Sequence, residues 1–266
     1  IFETAIGLIP PAPISSETPF WRRALDFIPK ASSAYHLYKS HQLAQFEGGL
    51  RPITSRIGGK NLLKKEIVDK YFPKNYKDMI YVEPFVGGGS IFFYKEPSIK
   101  EIINDIDKKI INLYKGFKKY DGEKISSDID GEYNKEIFNK IKDSNPKSQY
   151  DKFIKNLILH RISFFGSAKY FGAKPYIKSN LNGYKDRLKN VNILNEDYKD
   201  IIKKYDSPNT FFYLDPPYEE SKGLYENFEL PIKDVYDLLK NIKGKFLISY
   251  NDSSEAKKLF KDYNIN

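Results

Sequence analysis

The chain of 266 residues contains no cysteine, which excludes disulfides, thiolate metal sites and a thiolate nucleophile. Only three histidines occur (His36, His41 and His160), and their scatter speaks against a zinc site. No stretch approaches the roughly 18 apolar residues of a membrane-spanning helix. The Walker pattern that cradles nucleotide phosphates is absent, which disfavours phosphate transfer. The Gly-x-Ser-x-Gly elbow of a nucleophilic serine is absent too, and no internal repeat is found.

Residues 1–50 hold no asparagine and only two lysines, Lys30 and Lys39, whereas residues 51–266 are rich in Lys, Ile, Asn and Tyr. The opening IFETAIGLIPPAPISS has no initiator Met, is proline-rich and lacks the charged start of a secretory signal. Residues 1–50 therefore read as an N-terminal arm or fused segment, with short amphipathic pieces around Trp21–Ile28 and Ala34–Phe46 and no chemistry of their own. The bias of the remainder fits AT-rich coding in a bacterium, a phage or a large DNA virus, and with it a cytoplasmic protein.

Positive charge is plentiful. The formal charge is +9, and 40% hydrophobic residues suffice for a sizeable core. Between Lys152 and Asn190 nine Lys/Arg face a single acid, Asp186, and seven aromatics interleave with them: Phe153, Phe164, Phe165, Tyr170, Phe171, Tyr176 and Tyr184. Cations for phosphates and rings for bases make a nucleic-acid composition; a basic face over an aromatic core is the plainer reading.

From residue 51 the pattern alternates. Strands are expected over 78–84, 101–105, 190–195, 210–214 and 245–250, and helices over 61–72, 108–119, 133–141, 152–163, 198–205, 232–241 and 253–263. Such alternation predicts an α/β fold with a parallel sheet covered by helices. The stretch 121–190 breaks it and reads as an inserted small domain.

In a sheet of this kind ligands bind beyond the carboxyl ends of the strands. The first strand runs into Glu83-Pro84-Phe85-Val86-Gly87-Gly88-Gly89-Ser90, where glycines let a ligand approach the backbone. The second runs into Asn104-Asp105-Ile106-Asp107, with Asp105 18 residues beyond Gly87, close to the spacing at which a doubly wound fold offers an acid to a ribose hydroxyl. The third ends in Asn195-Glu196-Asp197-Tyr198 and the fourth in Asp215-Pro216-Pro217-Tyr218. Prolines stop a strand, so a bare turn explains one such ending. Four successive acid-bearing ends call for more.

These stretches, with Arg56-Ile57-Gly58-Gly59-Lys60 before them, resemble the Dam-like, alpha-group N6-adenine DNA methyltransferases over residues 51–266. In order they are similar to the family's GGK motif, glycine-rich cofactor loop, ribose-binding acid, acidic-aromatic motif beside the cofactor adenine, and catalytic DPPY. The resemblance implies a Rossmann-like catalytic domain over 51–120 and 191–266, a mainly helical target-recognition region over 121–190, S-adenosyl-L-methionine as cofactor, double-stranded DNA as partner, and no metal. Oligomeric state is left open. It also implies a cofactor set of Lys60, Glu83, Phe85, Gly87, Gly88, Gly89, Asp105 and Asp197, and a catalytic set of Asp215, Pro216 and Tyr218. The recognition region contributes Lys155, Arg161, Lys169, Tyr170, Lys174, Lys178 and Arg187 as DNA-binding candidates. Asp107 reads as a helix cap, and Glu219 and Glu220 as solvated.

Two features depart from the family. Its frequent Gly-x-Phe-Asn-Val-Pro-Phe-Gly stretch is replaced by RISFFGSAKYFGAKPY at 161–176, so no target sequence carries over. The family usually continues through a closing hairpin beyond the last helix, which reads as a shortened chain or one whose C-terminal part lies elsewhere. The implied chemistry is transfer of a methyl group to a flipped adenine. Two alternatives stand beside it: a catalytically inactive protein on this fold with a structural or DNA-binding role, and the same chemistry on another amino group such as cytosine N4. Asp rather than Ser at position 215 leans toward adenine.

Overall fold

Seven strands form among the described residues: β1 (Ile80–Glu83), β2 (Lys100–Asn104), β3 (Gly131–Glu132), β4 (Tyr176–Ile177), β5 (Asn192–Leu194), β6 (Thr210–Leu214) and β7 (Lys245–Ile248). Five build one sheet in the order β5-β2-β1-β6-β7, with every neighbouring pair parallel. The computed structural model describes residues 50–54, 60–172, 176–177, 181–217 and 230–265. Residues 1–49 of the arm expected over 1–50, Arg56 to Gly59 of the GGK stretch, Lys174, Lys178, Tyr218, Glu219 and Glu220 lie outside the described residues.

The helices are α1 (Lys64–Glu66), α2 (Ser90–Tyr94), α3 (Lys108–Lys119), α4 (Gly122–Ile129), α5 (Lys135–Asp143), α6 (Gln149–Ile162), α7 (Tyr184–Leu188), α8 (Tyr198–Tyr205), α9 (Ile232–Leu239) and α10 (Ser254–Leu259). Strand side chains alternate between the two faces. Tyr81, Ile103, Phe211 and Tyr213 join the core formed with α2, α3 and α6. Val82, Ile102, Phe212 and Leu214 join the core formed with α8 and α9. All five residues of β6 are buried, as expected for a strand covered on both faces.

Several helix starts are legible as side-chain caps. Asp107, Asp121, Asn134, Ser148, Asp197 and Ser253 each accept from a backbone N–H of the following turn. The strand and helix ranges expected at 108–119, 198–205 and 210–214 coincide with α3, α8 and β6. The helix expected over 61–72 is different. It is the short α1 followed by a π-helical turn, Ile67–Tyr71. Ile67 and Val68, inside the π-turn, are buried, while Leu62 and Leu63 before it are exposed.

The stretch 121–190 contributes α4, α5, α6 and α7 and the small antiparallel pair β3–β4. It is not walled off from the sheet. Ile125, Phe138, Phe153, Leu157 and Tyr184 share one hydrophobic core with Phe93, Ile110 and Tyr81. Among the described residues no helix is long and apolar enough to cross a membrane.

Candidate active site

The chain leaves β1 toward β2 on one side of the sheet and leaves β6 toward β7 on the other. The loops after β1 and β6 therefore diverge, and a crevice at this switch point is where an α/β sheet binds ligands. Asp215 stands at the end of β6, followed by the buried Pro216. Lys60 Nζ donates to Asp215 Oδ1 at 2.7 Å, with side chains only 10% and 22% exposed. The lysine of the N-terminal stretch and the acid of the DPPY turn, 155 positions apart, thus meet in one place.

The glycine-rich loop after β1 is fixed from three directions. Gly87 N–H donates to Asp105 Oδ2 at 2.9 Å, Ile53 N–H donates to the Gly88 carbonyl at 2.9 Å, and the Tyr114 hydroxyl donates to the Gly87 carbonyl at 3.1 Å. Gly89 adopts φ 80°, and a Cβ there would sit 2.4 Å from the Tyr114 hydroxyl, so only glycine fits. Asp105, itself buried, also accepts from Asp107 N–H at 2.9 Å.

Two asparagines that the sequence reading left without a role tie the strand ends together. Asn104 Nδ2 donates to the carbonyls of Pro84 and Glu196, both at 3.0 Å, and its Oδ1 accepts from Glu196 N–H at 2.9 Å. Asn195 Nδ2 donates to the Asp105 and Ile106 carbonyls at 2.8 and 3.0 Å. Their signal was position alone, each being the polar residue at or just past the end of its strand.

Between these loops lies a shallow cleft lined by Pro84, Phe85, Asn104, Ile106, Glu196, Asp197 and Tyr198. Phe85 packs on Tyr198 with ring centroids 5.2 Å apart. The Tyr198 hydroxyl is buried without a hydrogen-bond partner among the described residues, and burial raises its pKa. Asp197 lines the same cleft while its Oδ1 caps α8 through Lys199 N–H at 2.8 Å.

Glu83 ends β1 and is 2% exposed. Tyr81 Oη donates to its Oε2 at 2.6 Å. Burial pushes the Glu83 carboxyl up to about 8, against the Tyr81 hydrogen bond and the charge of Lys95. Lys95 is buried beside it and pairs with Glu101; desolvation brings its pKa down to about 8.

The DNA-binding candidates separate into two groups. Arg187 is not on a solvated face. Its guanidinium pairs with both carboxylate oxygens of buried Glu101, donates to the Phe92 carbonyl at 3.0 Å and lies 3.9 Å from the Phe92 ring centroid. Lys155 Nζ donates to the carbonyls of Lys142 and Ser144, closing the C-terminus of α5. Arg161 is half-buried beside Tyr184, and burial lowers its pKa. These three brace the protein, a use that opposite charges and carbonyls far along the chain provide.

Lys169 and Tyr170 lie on a protruding turn closed by the Ser163–Phe171 bridge and by Phe164 N–H donating to the Tyr170 carbonyl at 2.8 Å. Tyr170 is 72% and Phe164 57% exposed. Ala168 adopts φ 57° in this turn, the one positive-φ residue other than glycine among the described residues, and its N–H donates to Ser163 Oγ at 2.8 Å. Strain of this kind persists where surrounding contacts impose it.

A family model described as D12 class N6 adenine-specific DNA methyltransferase matches residues 57–266. The chain is 28% identical over 250 residues to a Type II methyltransferase, M1.LlaDCHI, of Lactococcus lactis subsp. cremoris, covering 81% of this chain and 86% of the relative. It is 30% identical over 203 residues to the Type II methyltransferase M.MjaIII of Methanocaldococcus jannaschii, covering 64% and 70%. The DNA adenine methylase of Escherichia coli strain K12 is 29% identical over 179 residues, covering 60% and 62%.

Proposed function

The chain belongs to the D12 class of N6 adenine-specific DNA methyltransferases, and from that premise we propose how its residues divide the work and that S-adenosyl-L-methionine is the methyl donor. The observation that carries the reading is the meeting of Lys60 and Asp215 at the switch point, next to the tethered loop Gly87 to Gly89. The sulfonium of the bound donor supplies an electrophilic methyl group.

On the donor side, Asp105 takes the ribose hydroxyls, and the cleft of Phe85, Asp197 and Tyr198 takes the adenine. Glu83 and the glycine-rich loop take the methionine end. The packed rings of Phe85 and Tyr198 on the wall of that cleft support this assignment.

The target amino nitrogen is a poor nucleophile, since its lone pair is delocalised into the ring. It is also hidden in the duplex, so the base must be extruded at a cost of a few kcal/mol. Asp215 accepts a hydrogen bond from one amino N–H and the Pro216 carbonyl accepts one from the other. Together they draw the nitrogen toward tetrahedral geometry and aim its lone pair at the methyl. Proline suits this place because its ring fixes the backbone dihedral that aims the carbonyl. Tyr218 stacks on the extruded base, worth about 1–3 kcal/mol. Lys60 holds Asp215 oriented until the amino group takes over its oxygen, so the contribution is positioning and electrostatics.

Residues 121–190 form the target-recognition region, with the turn bearing Phe164, Lys169 and Tyr170 facing the duplex. Its exposed rings and strained backbone support this role. Methyl transfer from labelled S-adenosylmethionine to mixed-sequence DNA, beside Asp215→Ala, tests the whole reading. N6-methyladenine formed by the wild type and lost in the variant is expected. Failure of transfer together with failure to bind the donor would sink it in favour of a non-catalytic protein on the same fold.

A further inference from the structure

Tyr81 and Glu83 project from the same face of β1, toward α2 and α3. Among the described residues the Tyr81 hydroxyl is the single hydrogen-bond partner of the Glu83 carboxyl, and no cation stands within ion-pair distance of it. Tyr81 is fully buried, and Lys95 Nζ lies 4.1 Å from its ring centroid. A cation over the ring draws electron density from the phenol and makes its O–H a stronger donor to an anion.

The charged groups around Glu83 come from four elements. Tyr81 lies on its own strand, Asp215 follows β6, Lys95 follows α2 and Glu101 lies on β2. Lys60 pairs with Asp215, and Arg187 pairs with Glu101. Each neighbouring acid therefore has its own cation, while Glu83 has only a phenol.

We propose that Tyr81 is a positioning residue for Glu83: its hydroxyl steadies the ionised carboxylate, so that docking of a cationic amino group at the glycine-rich loop is coupled to release of the Glu83 proton to solvent. The inference rests on the reading above, in which Glu83 meets the methionine end of the donor. The buried acid waits in its neutral form, consistent with a carboxyl that keeps its proton to about pH 8. An arriving ammonium then stabilises the anion that Tyr81 already orients.

The test is calorimetric titration of the cofactor-free chain with S-adenosylhomocysteine from about pH 6 to about pH 9, in wild type, Tyr81→Phe, Glu83→Gln and Tyr213→Phe. The ligand's own amino group titrates identically in all four, so differences between profiles belong to the protein. Wild type is expected to bind about tenfold more weakly at pH 7 than at pH 9. Tyr81→Phe is expected to lose about a further tenfold at pH 7, with its midpoint moved upward. Tyr213→Phe, whose hydroxyl pairs with Ser249 instead, should keep the wild-type midpoint. A Tyr81→Phe protein with the wild-type midpoint overturns the proposal. A Glu83→Gln protein that binds like wild type at every pH overturns the site reading beneath it. Should Tyr81→Phe not fold, carbon-13 NMR of the Glu83 carboxyl in wild type decides. Loss of its proton on adding ligand at pH 7 supports the coupling, and a carboxyl already ionised in the free protein ends it.

Discussion

Asp215 separates binding from chemistry. Its carboxylate pairs with Lys60 at the end of β6, so Asp215→Ala is expected to lower methyl transfer by at least about a hundredfold while calorimetry shows donor affinity within about threefold of wild type. Glu83 separates function from stability. The unfolded chain gives up this proton near the ordinary 4.5, and the folded protein keeps it to about 8. Between those values the native state holds more protons than the unfolded one, so this group lowers stability as pH rises through the window. Glu83→Gln has no such slope. It is expected to melt several degrees above wild type at about pH 8 and close to it near pH 4.5, a difference that thermal scans across pH resolve. An acid kept at such a cost is one more argument that the donor needs it.

Elements show why part of the molecule was legible in its sequence. The turns after β1, β2, β5 and β6 were readable because each puts its chemistry in a contiguous run, and a parallel sheet gathers such runs at one edge. Caps such as Asp107 were readable for the same local reason. Helix α4 was missed, since Gly122–Ile129 carries just two buried residues, Ile125 and Ile129, too few for a visible period. The internal contacts of Lys155 and Arg187 were not legible, because a lysine on carbonyls 11 and 13 positions away, or an arginine on a glutamate 86 positions away, leaves no mark in a local window. At the glycine-rich loop the constraint comes from outside it. A Cβ on Gly88 would lie 2.3 Å from the Thr54 carbonyl oxygen, which is backbone and cannot swing aside. Gly88→Ala is therefore expected to cost about 1–3 kcal/mol in chemical denaturation and to weaken donor binding at the same time.

At the scale of the molecule the basic charge has two destinations. Arg187 pairs with buried Glu101, which Lys95 also holds, so Arg187→Ala is expected to lower unfolding free energy by about 1.5–3 kcal/mol, with the salt dependence of DNA binding unchanged. The paired variant Phe164→Ala with Tyr170→Ala should do the reverse, weakening DNA binding by about 1–3 kcal/mol per lost stacking contact with the melting temperature retained. The strand order also governs how such a chain is made. β1 is the middle strand, and its second neighbour is paired through Ile80 and Thr210, 130 positions later. During synthesis one edge of β1 has no partner until the residues of β6 have left the ribosome, and closing so long a loop is slow. Nascent chains that end before β6 thus present an open, apolar strand edge, the state in which aggregation competes with folding, and expression yield should respond more to translation speed and chaperones than to changes at the surface.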